Sequence, residues 1–110
     1  MAKYDLDGKI AIITGGSGGL GEQFAHGLAE AGSDVVLAAR REENLKKIAD
    51  ELSKKYDVKT LPIKTDVTKE QDIINMVDTT VEEFGTVDIL VNNAGMYVVK
   101  AFSEITEDLW

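Results

Sequence analysis

The run Ile10-Ala11-Ile12-Ile13-Thr14-Gly15-Gly16-Ser17-Gly18-Gly19-Leu20-Gly21 constrains this chain more than any other stretch. An apolar strand feeds a glycine-packed turn, and the turn feeds a helix. Such a junction brings backbone amides close to an anionic group at the start of the helix. Five of the ten glycines lie between positions 15 and 21, so glycine is concentrated where a turn needs it. One glycine permits the tight turn, one lets the backbone approach its ligand, and one lets helix and strand pack closely.

The segments that follow alternate in the same way. Lys9 to Thr14 is a near-continuous apolar strand, as in a sheet covered on both faces. Leu20 to Ala31 has helical spacing, with Leu20, Phe24, Leu28 and Ala31 on one face and Glu22, His26 and Glu30 on another; Gly32 stops it. Asp34 to Ala39 is a second buried strand, and Glu42 to Tyr56 an amphipathic helix carrying Leu45, Ile48, Ala49, Leu52 and Tyr56 inward. Val58 to Lys64 is a third strand, whose Pro62 suits an edge. Thr68-Lys69-Glu70-Gln71 fits a capping box opening a helix through Phe84, with Ile73, Val77, Val81 and Phe84 inside and Gly85 as the stop. Val87 to Val91 is the fourth strand, a loop runs from Asn92 to Ile105, and Thr106-Glu107-Asp108 opens another helix. This alternation predicts one α/β unit over 1–110, a Rossmann-type doubly wound parallel sheet whose first four strands lie in the order 3-2-1-4.

Composition narrows the function. The net charge of −8 argues against nucleic acid or a membrane surface as partner, and an anionic ligand must be held by local positive charge. The chain has no cysteine, which excludes disulfides, thiolate nucleophiles and cysteine-ligated metals. The start Met1-Ala2-Lys3-Tyr4-Asp5 has no apolar signal region, and no stretch approaches the ~18 apolar residues of a membrane span. A cytoplasmic protein is expected.

The glycine run fits two registers, Gly16-x-Gly18-x-x-Gly21 and Thr14-Gly15-x-x-x-Gly19-x-Gly21. Both serve dinucleotide binding when placed between strand and helix; the alternative is a βα turn with no ligand. A Walker-type triphosphate loop would need Lys then Ser or Thr after the glycines, whereas Glu22-Gln23 follow Gly21. At the end of the second strand, where an acid would hold the ribose 2′-hydroxyl of NAD, the chain has Ala39-Arg40-Arg41. A guanidinium grips a 2′-phosphate through charge-assisted bonds of about 1.5–3 kcal/mol, about 10- to 150-fold in affinity. NADP is therefore favoured over NAD, the alternative being that Arg40 and Arg41 are solvated and pair with Glu42 or Glu43. Asp66, in Thr65-Asp66-Val67-Thr68, either accepts from an adenine amino group or caps the next helix. Asn92-Asn93-Ala94-Gly95 ends the fourth strand at the ligand crevice. Its asparagines either touch a ribose and tie loops together or stabilise the strand end.

In this order and spacing, Thr14-Gly15-(three residues)-Gly19-Leu20-Gly21, Asp66-Val67 and Asn92-Asn93-Ala94-Gly95 resemble the short-chain dehydrogenase/reductase family across the whole chain. The resemblance implies a cofactor site at Gly15, Ser17, Gly18, Gly19, Leu20, Gly21, Arg40, Asp66, Val67, Asn92, Asn93, Ala94 and Gly95. It implies that Ser17, Gly19 and Leu20 line pyrophosphate and ribose, that Arg40 marks NADP preference, that Asp66 and Val67 flank adenine, and that Asn92 to Gly95 border the adenosine. A basic residue within the glycine loop, present in some NADP-dependent members, is missing here.

Members of that family are about twice as long and carry an Asn, a Ser and a Tyr-x-x-x-Lys pair beyond position 110. The tyrosine serves as general acid/base, with the lysine lowering its pKa. No Tyr-x-x-x-Lys occurs here; Tyr56/Lys59 and Tyr97/Lys100 are three apart and read as ordinary surface or loop residues. His26, on the polar helix face, reads as solvated, so no catalytic residue and no metal ligand is assigned. Met96, Tyr97, Val98 and Val99 read as part of a substrate wall. The resemblance implies a parent NADP-dependent oxidoreductase interconverting an alcohol and a carbonyl on a small molecule, of which this chain is the truncated, catalytically incompetent cofactor half. The alternative is a non-catalytic dinucleotide-binding or self-associating module. Without a fifth strand beside it, the Val87 to Val91 edge stands open, which predicts a homo-oligomer paired through that edge.

Overall fold

A computed structural model describes residues 6–15, 19–92 and 95–98. The elements are β1 (Ile10–Thr14), α1 (Gly19–Glu30), β2 (Asp34–Ala39), α2 (Glu42–Tyr56), β3 (Thr60–Lys64), α3 (Glu70–Phe84), β4 (Ile89–Asn92) and β5 (Gly95–Val98). They form a sheet in the order β3-β2-β1-β4-β5. The first four strands are parallel and in the expected order. β1 pairs with β2 from Ile10↔Asp34 to Thr14↔Ala38, and with β4 from Ala11↔Ile89 to Ile13↔Val91. β3, with its Pro62, lies at the edge, where the missing N–H costs no central ladder bond.

The period of two along the central strands builds two cores. Ala11 and Ile13 of β1, Val35 and Leu37 of β2, and Ile89 and Val91 of β4 pack with Ala25, Leu28 and Ala29 of α1 and Leu45, Ile48, Ala49 and Leu52 of α2. The alternate residues Ile10, Ile12, Val36, Ala38 and Leu90 face the other way, against Met76 and Val77 of α3. The continuous apolar runs are explained by a sheet covered on both sides.

Helix ends follow elementary chemistry. α2 begins with Glu42 and Glu43 and ends with Lys54 and Lys55, matching the macrodipole. Asp57 then takes a left-handed conformation (φ 57°) and donates its N–H to Ser53 O. Gly85 (φ 87°) closes α3 with an N–H to Val81 O, as expected.

Several expectations are corrected. α1 buries Ala25, Leu28 and Ala29, while Phe24 is 39% exposed, so the inner stripe is rotated from the predicted one. Ladder pairing of β3 starts at Thr60, two residues late, because Lys59 N–H donates instead to Asp34 Oδ1 (2.9 Å). Thr68 does not cap α3. Its Oγ1 and N–H both donate to Asp66 Oδ1, at 2.6 and 3.0 Å, and Lys69 becomes the N-cap without a side-chain bond. β4 starts at Ile89, because Asp88 turns its carboxylate to accept the Ile10 N–H (2.9 Å). The predicted loop after Asn92 contains β5, antiparallel to β4 from Asn92↔Gly95 to Ile89↔Val98. The β4 edge predicted to be open is therefore occupied within the chain. The helix opening at Thr106 lies outside the described residues.

Candidate functional site

The carboxyl ends of β1, β2 and β3 converge on one cleft. β1 and β3 are each continued one step past their ends by a backbone bond to β2: Gly15 N–H donates to Ala38 O and Thr65 N–H to Ala39 O, both at 2.8 Å. Thr14 Oγ1 donates to Val91 O at 3.3 Å and ties the mouth of β1 to β4. Gly15 has φ 71°, a conformation that disfavours a side chain, and turns the chain out of the sheet. These constraints leave a cleft of about 350 Å³ lined by Thr14, Gly15, Ala38, Ala39, Arg40, Arg41 and residues 65–68. Its floor is small because Gly15, Ala38 and Ala39 project almost nothing.

Cations gather on its rim. Arg40 and Arg41 also border an adjoining hollow of about 510 Å³ with Glu42, Glu43, Asn44 and Lys64. Lys64 is the residue that sequence reasoning missed. β3 aligns it with Ala39, directly before Arg40, a proximity visible only once the strand register is known. Among the described residues neither arginine forms an ion pair, so the alternative pairing with Glu42 or Glu43 is not adopted. The first amides of α2 also open here, since Arg41 supplies no side-chain cap.

On the opposite wall, the two Thr68 hydrogen bonds lower the Asp66 pKa below the ordinary 3.8, with lesser help from the Arg40 and Lys69 charges. Asp66 is thus held as a carboxylate. The Asp66 N–H donates to Asp72 Oδ2 (2.9 Å), which anchors this wall to α3. Its cap role is a turn ahead of the helix, not an N-cap. Val67, 39% exposed, stands beside it as an apolar surface.

Of the residues expected at a cofactor, Gly15, Arg40, Asp66 and Val67 come together in this cleft. Gly19, Leu20 and Gly21 form the opening of α1. Asn92 ends β4 and Gly95 begins β5, paired with each other. Gly16, Ser17, Gly18, Asn93 and Ala94 lie outside the described residues.

A sequence model of the short chain dehydrogenase family matches residues 9–110. The chain belongs to the short chain dehydrogenase family. It is 39% identical over 103 residues to 11-beta-hydroxysteroid dehydrogenase A of Sesamum indicum, covering 94% of this chain and 30% of that protein. Its fold is similar to that of L-sorbose reductase from Gluconobacter frateurii complexed with NADPH and L-sorbose. The TM-score is 0.80 at 35% identity, covering 98% of this chain and 41% of the reductase. It is also similar to NAD+-bound xylitol dehydrogenase, with a TM-score of 0.75 at 32% identity over 78% of this chain and 33% of the other. The chain thus spans less than half the length of these short chain dehydrogenase relatives. Among the described residues no helix is long and apolar enough to cross a membrane.

Proposed function

We propose that these residues form the adenosine and pyrophosphate side of a cofactor site in an NADP-dependent oxidoreductase that interconverts an alcohol and a carbonyl on a small molecule. The observation that carries this reading is the cation group at the ends of β2 and β3, Arg40, Arg41 and Lys64, with no acid at the β2 end. The cleft fits the adenosine portion on its own chemistry. A small floor at Gly15, Ala38 and Ala39 admits a ring, the Asp66 carboxylate can accept from an amino group, and the guanidinium groups suit a 2′-phosphate.

When bound, the nicotinamide ring of such a cofactor supplies or accepts hydride. Everything this chain does in that reaction is binding and orientation. Gly15 and the opening of α1 present backbone to the pyrophosphate. Arg40 discriminates between the two dinucleotides, with Lys64 adding field. Residues 1–110 contain no Tyr-x-x-x-Lys pair, so proton transfer in the reaction is assigned to residues beyond them. These residues alone should bind without turnover.

Calorimetric titration with NADP+ and NAD+ tests the reading. NADP+ should bind at least tenfold more tightly. Arg40→Ala should remove most of that preference, a loss of about 10- to 150-fold, and leave NAD+ affinity unchanged. Lys64→Ala should cost less, because an ammonium acts as a point charge whereas the guanidinium can make paired bonds to a phosphate. Equal affinities in the unaltered chain, or a preference that survives Arg40→Ala, would refute the assignment. Turnover by residues 1–110 alone would refute the division of labour.

A further inference from the structure

On the outer surface of α1 and α2, sharing no residue with the cleft, the only histidine of the chain meets two carboxylates and a phenol. Sequence places His26 on a polar face with Glu22, one turn earlier. Folding adds Glu51 and Tyr56 from α2. We propose that Glu22, His26 and Glu51 form a binding site for a divalent transition-metal ion, zinc-like in its preferences, that clips α1 to α2.

The geometry is that of ligands around a space. His26 Nε2 lies 3.8 Å from Glu22 Oε2 and 3.9 Å from Glu51 Oε2. Both distances exceed a hydrogen bond, so the three groups converge without satisfying one another. One ligand atom from each lies within 4.8 Å of the others. Ligand bonds of about 2.0–2.2 Å around a tetrahedral zinc ion set its ligand atoms about 3.4 Å apart. Closing to that spacing needs only small rotations of side chains that are 27%, 40% and 56% exposed for His26, Glu22 and Glu51. The same exposure leaves room for a water as a fourth ligand.

The imidazole is also oriented from behind. His26 Nδ1 and Tyr56 Oη are 3.0 Å apart, and the two rings meet edge to face with centroids 5.6 Å apart. With the proton on Nδ1, the ring donates to the tyrosine oxygen and turns the Nε2 lone pair toward the carboxylates. Metal-bound histidines commonly have such an outer partner, which fixes tautomer and ring angle. One imidazole with two carboxylates suits zinc, cobalt or nickel better than magnesium or calcium, whose sites are built from oxygen alone. The contact joins the crossover helices of two successive βαβ units, which pack in one layer, so an ion there would stabilise the fold.

The test uses the chelator-treated 110-residue chain titrated with Co2+ and then Zn2+. Visible absorption of bound cobalt reports the ligands, and thermal unfolding reports the clip. The expected result is one ion per chain and a Tm rise of about 5 °C or more at saturating zinc. His26→Gln and Glu51→Gln should each weaken binding about tenfold or more, and the exposed position of Glu51 protects the fold in the second. Tyr56→Phe keeps all three ligands yet should weaken binding about tenfold by releasing the ring. Absence of binding at millimolar zinc, or binding unchanged in both His26→Gln and Glu51→Gln, would overturn the proposal.

Discussion

Asp66 shows how one side chain can be claimed twice. Sequence leaves it between ligand contact and cap, and the structure commits Oδ1 to Thr68. That commitment lowers its pKa, so the sign of the pH dependence is set. The carboxylate's contribution to the turn is fully present above the ordinary value of 3.8 and is lost as the pH falls through the lowered folded-state value. Thr68→Val removes the side-chain donor, the largest cause of the shift. The Asp66 carboxyl, followed by NMR, should then titrate closer to its ordinary value; an unchanged titration would contradict this account. The same pair explains why the capping-box pattern at Thr68 forms no cap. A Thr three residues before Gln71 satisfies the pattern, but an aspartate two residues upstream competes for both Thr68 donors. Arg40 was legible because it follows a strand end. Lys64 was not, because its partner is chosen by register between strands distant in sequence.

Among the elements, those with strong periodicity were legible to within a residue or two. β1, β2, α2 and the end of α3 carry apolar spacing or a glycine stop that admits one reading. β5 was hidden because Asn92-Asn93-Ala94-Gly95 reads as polar and small, and Gly-Met-Tyr-Val is short and starts on a glycine. Phe24 misled for a different reason: helical spacing gives a face but leaves its rotation open by one position, and the smaller Ala25 and Ala29 let α1 approach the sheet. Two glycine stops allow a sharper comparison. Gly85 (φ 87°) has open space where a Cβ would go, whereas a Cβ on Gly32 (φ 101°) would strike the Asp7 carboxylate. Gly85→Ala should therefore cost only backbone strain, about 1 kcal/mol. Gly32→Ala should cost measurably more, and Asp7→Ala should recover part of the difference. Urea unfolding of the three variants checks it; equal costs for the two glycines would contradict the clash.

For the molecule as a whole, the sheet manages its edges from within. Pro62 blunts β3, and β5 folds back over β4. Association through an open β4 edge, the expectation from sequence, has no free edge to use in this arrangement. Tyr97→Pro, which breaks a four-residue strand, should uncover it. Sedimentation should then show association that grows with concentration for the variant and is weaker in the unaltered chain; no difference between them would mean that β5 does not guard the edge. The centre of the sheet carries a consequence of another kind. β1 is sealed by partners far along the chain: Asp88 accepts from Ile10 across 78 residues, and Thr14 reaches Val91 across 77. During synthesis at about 5–20 residues per second, roughly 4–15 s separate the two sides of each contact. β1 therefore stays open on its β4 side until that strand has been made. Through that interval Ile10, Ile12 and Ile13, which the folded sheet buries, lack the cover that β4 gives them on one flank.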